Sequence, residues 1–190
     1  MYIFSNSTLA LLERARRNFE KNENVPGFGN AFQHVVLHGL RRITPYKDVY
    51  INSGAGQPDI FNNVAGFEVK TTKSAQVALD DNSLTVRKQF LSAKKSFMIA
   101  VLRVDALPYR FWLLDSITDS PGTASLLNEV VPGYSVPAEL ETKLAENIES
   151  VIDAVGTRFT DVESPSAASV ALKIFSTSME LKRKYELSSQ

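Results

Sequence analysis

Two acidic residues and a lysine lie close together in the stretch GQPDIFNNVAGFEVKTTK, where Asp59 follows Pro58 and Glu68 and Lys70 stand two apart. Side chains alternate faces along a strand, so Glu68, Lys70 and Thr72 would share one face here, and Phe67, Val69 and Thr71 the other. If the Asp59 segment pairs with this strand across a turn near Asn62 to Ala65, Asp59 comes opposite Glu68 and Lys70. Two carboxylates and an ammonium then converge on one sheet edge. That set suits hydrolysis of a phosphodiester, which needs an activated water, in-line attack, and charge stabilisation on the phosphate and the leaving oxygen. Magnesium takes oxygen ligands and keeps several waters, so Asp59 and Glu68 can supply its carboxylates, with a backbone carbonyl and a phosphate oxygen beside them. Lys70 can orient or deprotonate the attacking water, and a neighbouring divalent cation should depress its pKa.

Those residues need a sheet and helices to pack it against. Leu9, Leu12, Ala15 and Phe19 recur every three or four residues, which predicts a helix from Ser7 to Lys21 capped by Ser7 or Thr8. The stretch ENVPGFG should break it, and Asn30 should cap a second helix to about Arg42, with Phe32, Val36 and Leu40 as its apolar stripe. VYIN, GAGQPDIF and GFEVKTT read as three strands of a meander separated by Gly, Pro and Asn turns. A helix over Leu84 to Lys94 follows, then FMIAVLRV as a central strand and YRFWLLD as a fifth, with Trp112 in the core. This order is that of an α/β fold in which a mixed β-sheet is flanked by helices. PAELETKLAENIESVIDAV and SAASVALKIFSTSMELKRKYE predict a helical C-terminal part that packs on the sheet or forms a dimer contact. At 190 residues one domain is expected, with its core from about residue 30 to 115 and the helical part from about 121 to 190.

Pro58, Asp59, Glu68, Val69 and Lys70, with this element order from about Asn30 to Asp115, resemble the PD-(D/E)xK motif of the restriction-endonuclease-like nucleases. The resemblance implies a mixed sheet flanked by helices, magnesium bound by Asp59 and Glu68, and a further ligand from the Val69 carbonyl. Many members also carry a glutamate on the helix before the sheet. The corresponding NAFQHVVLHGLRR has none, and Gln33 or His34 stands in its place. The expected activity is that of a type II restriction endonuclease, cutting double-stranded DNA at a short specific site as a homodimer, since two symmetry-related sites cut both strands of a palindrome. The alternatives are a structure-selective nuclease, such as a Holliday-junction resolvase or a repair nicking enzyme, and a catalytically silent DNA-binding module of the same fold.

Candidates for DNA contact surround the motif. TTKSAQ places Thr71, Thr72, Lys73, Ser74 and Gln76 after the catalytic strand, and SLTVRKQFLSAKK places Arg87, Lys88, Lys94 and Lys95 on a basic helix expected to track phosphates. His34 and His38 have the spacing of a zinc pair but lack a third nitrogen or sulfur ligand, so with Arg41 they are expected to face solvent or a phosphate backbone. The net charge is zero, yet residues 1–110 hold 15 Lys/Arg and 9 Asp/Glu, while residues 111–190 hold 6 and 12. The basic part suits a polyanion, and the acidic part aids solubility. With no cysteine, disulfides, thiolate metal sites and cysteine nucleophiles are excluded. MYIFSNSTLALLERARR turns polar too early for a signal peptide, and no run approaches the ~20 apolar residues of a membrane span. A cytoplasmic location away from membranes is expected.

Overall fold

The computed structural model describes residues 1–52, 56–115, 123–125 and 136–156. A short strand β1 (Tyr2–Ile3) precedes the helices α1 (Asn6–Lys21) and α2 (Val25–Leu40). Leu9, Leu12, Ala15 and Phe19 form the buried stripe of α1, as their spacing requires. Its cap is Ser5 and not Ser7 or Thr8, because the Ser5 hydroxyl accepts the Thr8 N–H at 3.4 Å. Asn24, not Asn30, caps α2 and accepts the Gly27 N–H at 3.2 Å. Pro26 falls in the first turn, where a missing N–H costs no intrahelical bond, so VPGFG starts the helix instead of breaking the chain. Gly27 is there for closeness: a Cβ would lie 2.5 Å from Asn24 and 2.6 Å from Phe19.

The sheet elements follow as β2 (Tyr50–Ile51), β3 (Ile60–Phe61), β4 (Ala65–Thr72), β6 (Ser96–Arg103) and β7 (Arg110–Leu114), with β5 (Gln76–Ala78) and α3 (Asp81–Ser92) between β4 and β6. The six-stranded order is β1-β7-β6-β4-β3-β2, in which β4 and β6 run parallel through the α3 crossover and the other neighbours are antiparallel. The chain is therefore an α/β protein built on a mixed sheet. β5 pairs with β8 (Thr123–Ser125) in a separate two-stranded sheet. Gln76, read from the sequence as loop, lies in that ribbon opposite Ser125. Two- and three-residue strands carry no periodicity to read.

The faces of the sheet are covered differently. Phe67, Val69, Met98, Ala100 and Leu102 pack with α1, α2 and α4 (Ala138–Val155) in one apolar cluster. Ile99, Val101, Trp112 and Leu114 pack on the other side with Val86 and Phe90 of α3 and Val77 of β5. α4 thus packs within the chain and shares the main core. Its Glu149 accepts the Ser5 N–H and the Tyr2 hydroxyl, and its Glu141 accepts the N-terminal amine at 2.6 Å. The predicted helix after residue 165 lies outside the described residues. No described helix is long and apolar enough to cross a membrane.

The β3–β4 turn is organised by one buried amide. Asn62 Oδ1 accepts the Val64 and Ala65 N–H groups, while its Nδ2 donates to Asp48 and to the Pro45 carbonyl. This sets the register Ile60↔Phe67 and Phe61↔Gly66. Pro58 then crosses β4 at Gly66, where a Cβ would lie 2.6 Å from the proline ring and 2.9 Å from Phe90. Gly66→Ala should force Pro58 and with it Asp59 off the strand, lowering stability by about 2 kcal/mol and the unfolding midpoint by about 5 °C. Calorimetric melting checks this, and an unchanged midpoint would mean that the Pro58 crossing is not fixed by contact.

Candidate active site

Paired residues of β4 and β6 share a face, and on the α3 side β6 presents Ile99 and Val101. Opposite them β4 carries Glu68 and Lys70, charges in a central strand where apolar residues belong. Glu68 is 7% exposed. Its Oε1 accepts from Lys70 Nζ at 2.9 Å and from the Ser83 hydroxyl of α3 at 3.0 Å. Asp59 comes one residue before the Ile60↔Phe67 pair, where β3 begins and the edge of β4 opens. Its Oδ2 accepts the Val69 N–H at 2.8 Å, taking the place of a strand partner. The N–H and C=O of one strand residue point to the same side, so the Val69 carbonyl faces this opening too. Asp59, Glu68, Lys70 and the Val69 backbone therefore meet at one point, as the strand period implied.

α2 closes the site from the other side. The Gln33 side chain hydrogen-bonds to Asp59. His34 is half-buried, with Nδ1 enclosed by protein. His38 is buried outright, and burial, reinforced by Arg41, pushes its pKa down to about 4. Arg41 turns inward and donates to the Val49 carbonyl at 2.9 Å. The expected solvent- or phosphate-facing cluster of His34, His38 and Arg41 is instead an inward one, because α2 is packed nearly all round.

Burial, with the Glu68 charge, raises the Asp59 pKa to about 6, against the Val69 N–H, Lys70 and Gln33, which pull it down. For Lys70 burial acts downward, but the charge and hydrogen bond of Glu68, with Asp59 and Asp80, outweigh it and hold the ammonium above the ordinary lysine range. A depressed lysine was expected beside a dication. The protein by itself does the reverse, since the charges it sets around Lys70 are carboxylates. Among the described residues no group of three or more His, Cys, Asp or Glu could hold a metal ion. The donors are two carboxylates and a carbonyl, hard oxygens that fit magnesium and leave positions for water and substrate.

The candidate DNA contacts divide. Thr72 lies on the face of Glu68 and Lys70, and its hydroxyl accepts the Ser74 N–H at 2.9 Å. Thr71 is on the opposite face, beside Gly29 of α2. Lys73 pairs with Glu20 at 2.7 Å, while Ser74 and Gln76 are exposed. Arg87 is a correction: with Ser83, Val86 and Phe90 it forms the inward stripe of α3 and is buried. Lys88 is exposed, whereas Lys94 and Lys95 follow the end of α3, with Lys95 over the Phe90 ring. A cleft of about 210 Å3 between the β3–β4 turn and the C-terminal half of α3 is lined by Gln57, Asn63, Gln89 and Lys95 over Phe61 and Phe90, and none of the candidate catalytic residues lines it. Sequence reading missed Ser83. Its only signal was Asp80, a cap residue whose Oδ1 accepts the Ser83 N–H at 2.7 Å and so starts α3 there.

The Asp59 shift has a consequence for stability. A carboxyl that holds its proton to about pH 6 when folded, against an ordinary 3.8, favours the folded state at acid pH. That contribution is lost as the pH rises through about 6. Asp59→Asn, uncharged throughout, should be more stable than wild type above about pH 7, by about 2 kcal/mol, with the difference closing below about pH 4. Melting curves of both proteins across this range check it. An Asn variant that is the less stable one at alkaline pH would show that Asp59 is held as an anion. No known protein family, curated protein or solved structure matches the chain, so the functional reading rests on this geometry.

Proposed function

We propose that this protein is a magnesium-dependent DNA endonuclease of the PD-(D/E)xK type, acting in the cytoplasm as a type II restriction endonuclease on double-stranded DNA. The observation that carries the proposal is the convergence of Asp59, Glu68 and Lys70 on the open edge of β4, with the Val69 carbonyl on the same side. Magnesium held by Asp59, Glu68 and that carbonyl would supply water activation and neutralise charge on the phosphate. The chain's own groups do the rest. Asp59 is fixed by the Val69 N–H and the Gln33 side chain, and Glu68 by Ser83 and Lys70, so little ordering remains to be lost on binding. Lys70, whose ammonium form the neighbouring carboxylates favour, would donate to a phosphate oxygen as negative charge builds. Water oxygen bonds to phosphorus and gives up a proton to solvent, the bond to the leaving sugar oxygen breaks, and that oxygen takes up a proton from solvent.

Recognition fits the surroundings of the site. The amides of Gln57, Asn63 and Gln89 in the cleft at the β3–β4 turn offer paired donors and acceptors of the kind that read base edges, and exposed Lys88 and Lys94 suit phosphates. Cleavage of both strands at a palindrome calls for two copies of the chain.

Digestion of a long mixed-sequence duplex with magnesium, and again with chelator, tests the proposal. The wild type should give discrete fragments only with the metal, and Asp59→Ala and Lys70→Ala should each lower the rate by about 10²–10⁴-fold. Intact linear DNA with cleaved four-way junctions would replace this reading with a resolvase. No cleavage with any divalent metal would leave a binding module.

A further inference from the structure

We infer that Ser83 is a positioning residue of the same site: its hydroxyl holds the Glu68 carboxylate in place when Lys70 leaves it for the substrate. The inference rests on the hydrolytic reading above and adds a residue and a division of labour to it. Glu68 Oε1 has two donors, Lys70 Nζ at 2.9 Å and Ser83 Oγ at 3.0 Å. The Lys70 contact cannot persist unchanged through a reaction in which that ammonium turns to a phosphate oxygen. A glutamate whose only partner departs regains rotamer freedom and loses part of its charge compensation while 7% exposed. Ser83 supplies the contact that stays. It sits 6% exposed on the first turn of α3, and the crossover between β4 and β6 fixes that turn over Glu68.

Asp80 is the cap: it accepts the Ser83 backbone N–H, which any residue provides, and the Ser83 hydroxyl also reaches its carboxylate. Oε1 accepts both donors, and among the described residues Oε2 accepts none, which leaves that oxygen for a cation. The arrangement parallels Asp59, whose Oδ2 is taken by the Val69 N–H. The two carboxylates are thus each oriented by a donor from the fold itself. Groups that orient metal ligands in this way are worth about 10–100-fold in metal affinity.

The test compares full-length wild type, Ser83→Ala and Ser83→Thr, with Asp59→Ala as control, by calorimetric titration with manganese in the absence of DNA and by the magnesium dependence of cleavage. Ser83→Ala should melt within a few degrees of wild type yet bind manganese about 10-fold more weakly, with a matching rise in the magnesium needed for half-maximal rate. Ser83→Thr, which keeps the hydroxyl, should recover most of the affinity. If that variant does not fold, the affinity of Ser83→Ala decides alone. Undiminished manganese affinity in a folded Ser83→Ala, with affinity lost in Asp59→Ala, overturns the role of Ser83 and leaves the nuclease reading standing. A wild type that binds no divalent cation overturns both.

Discussion

The Val69 N–H reaches Asp59 Oδ2 at 2.8 Å, and the site exists because this bond can form. It requires that β3 begin at Ile60, that the β3–β4 register be Ile60↔Phe67, and that the chain arrive at Asp59 from across the sheet. Asn62 meets the second condition by accepting the Val64 and Ala65 N–H groups within the turn and donating to Pro45 and Asp48 beyond it. Gly66 meets the third by leaving room for Pro58. A slip of one residue would turn Asp59 to the other face and bring Ile60 out of the core. The apolar register and the carboxylate placement are the same constraint.

What the register assembles is electrostatically costly. Asp59 lies beside Glu68 in a buried setting, and burial, with the Glu68 charge, raises the Asp59 pKa. Lys70 offsets it as a counter-ion, and Ser83 adds a neutral donor. A fold selected only for stability would place apolar side chains on this face of β4, as it does on β6. Such concentrations of like charge are typical of sites that await a cation or a charged substrate.

Much of the scaffold was legible because its elements are long enough to show a period. The stripe Leu9, Leu12, Ala15 and Phe19 marked α1, and the apolar run of β6 marked a strand buried on both faces. Element ends were less legible. The caps Ser5 and Asn24 were misassigned because several Ser and Asn residues compete near each helix start and only three-dimensional geometry selects one. Arg87 was misplaced for a related reason: the phase of α3 depends on which side meets the sheet, and a short helix of mixed polarity does not announce it.

The sequence by itself determined that Glu68 and Lys70 share a face, because the two-residue period of a strand is local and admits no alternative. It also determined that Asp59 could be brought opposite them, since the turn residues between the two segments are few. Only the tertiary structure decided which residues complete the site. Gln33 comes to Asp59 from α2, more than twenty residues away in the chain, and Ser83 comes to Glu68 from α3, fifteen residues on. The same long-range packing turned His38 and Arg87 inward, away from the partners their charge suggested. Contacts of that kind depend on how helices lie across a sheet, a property of the whole apolar core that no local spacing encodes.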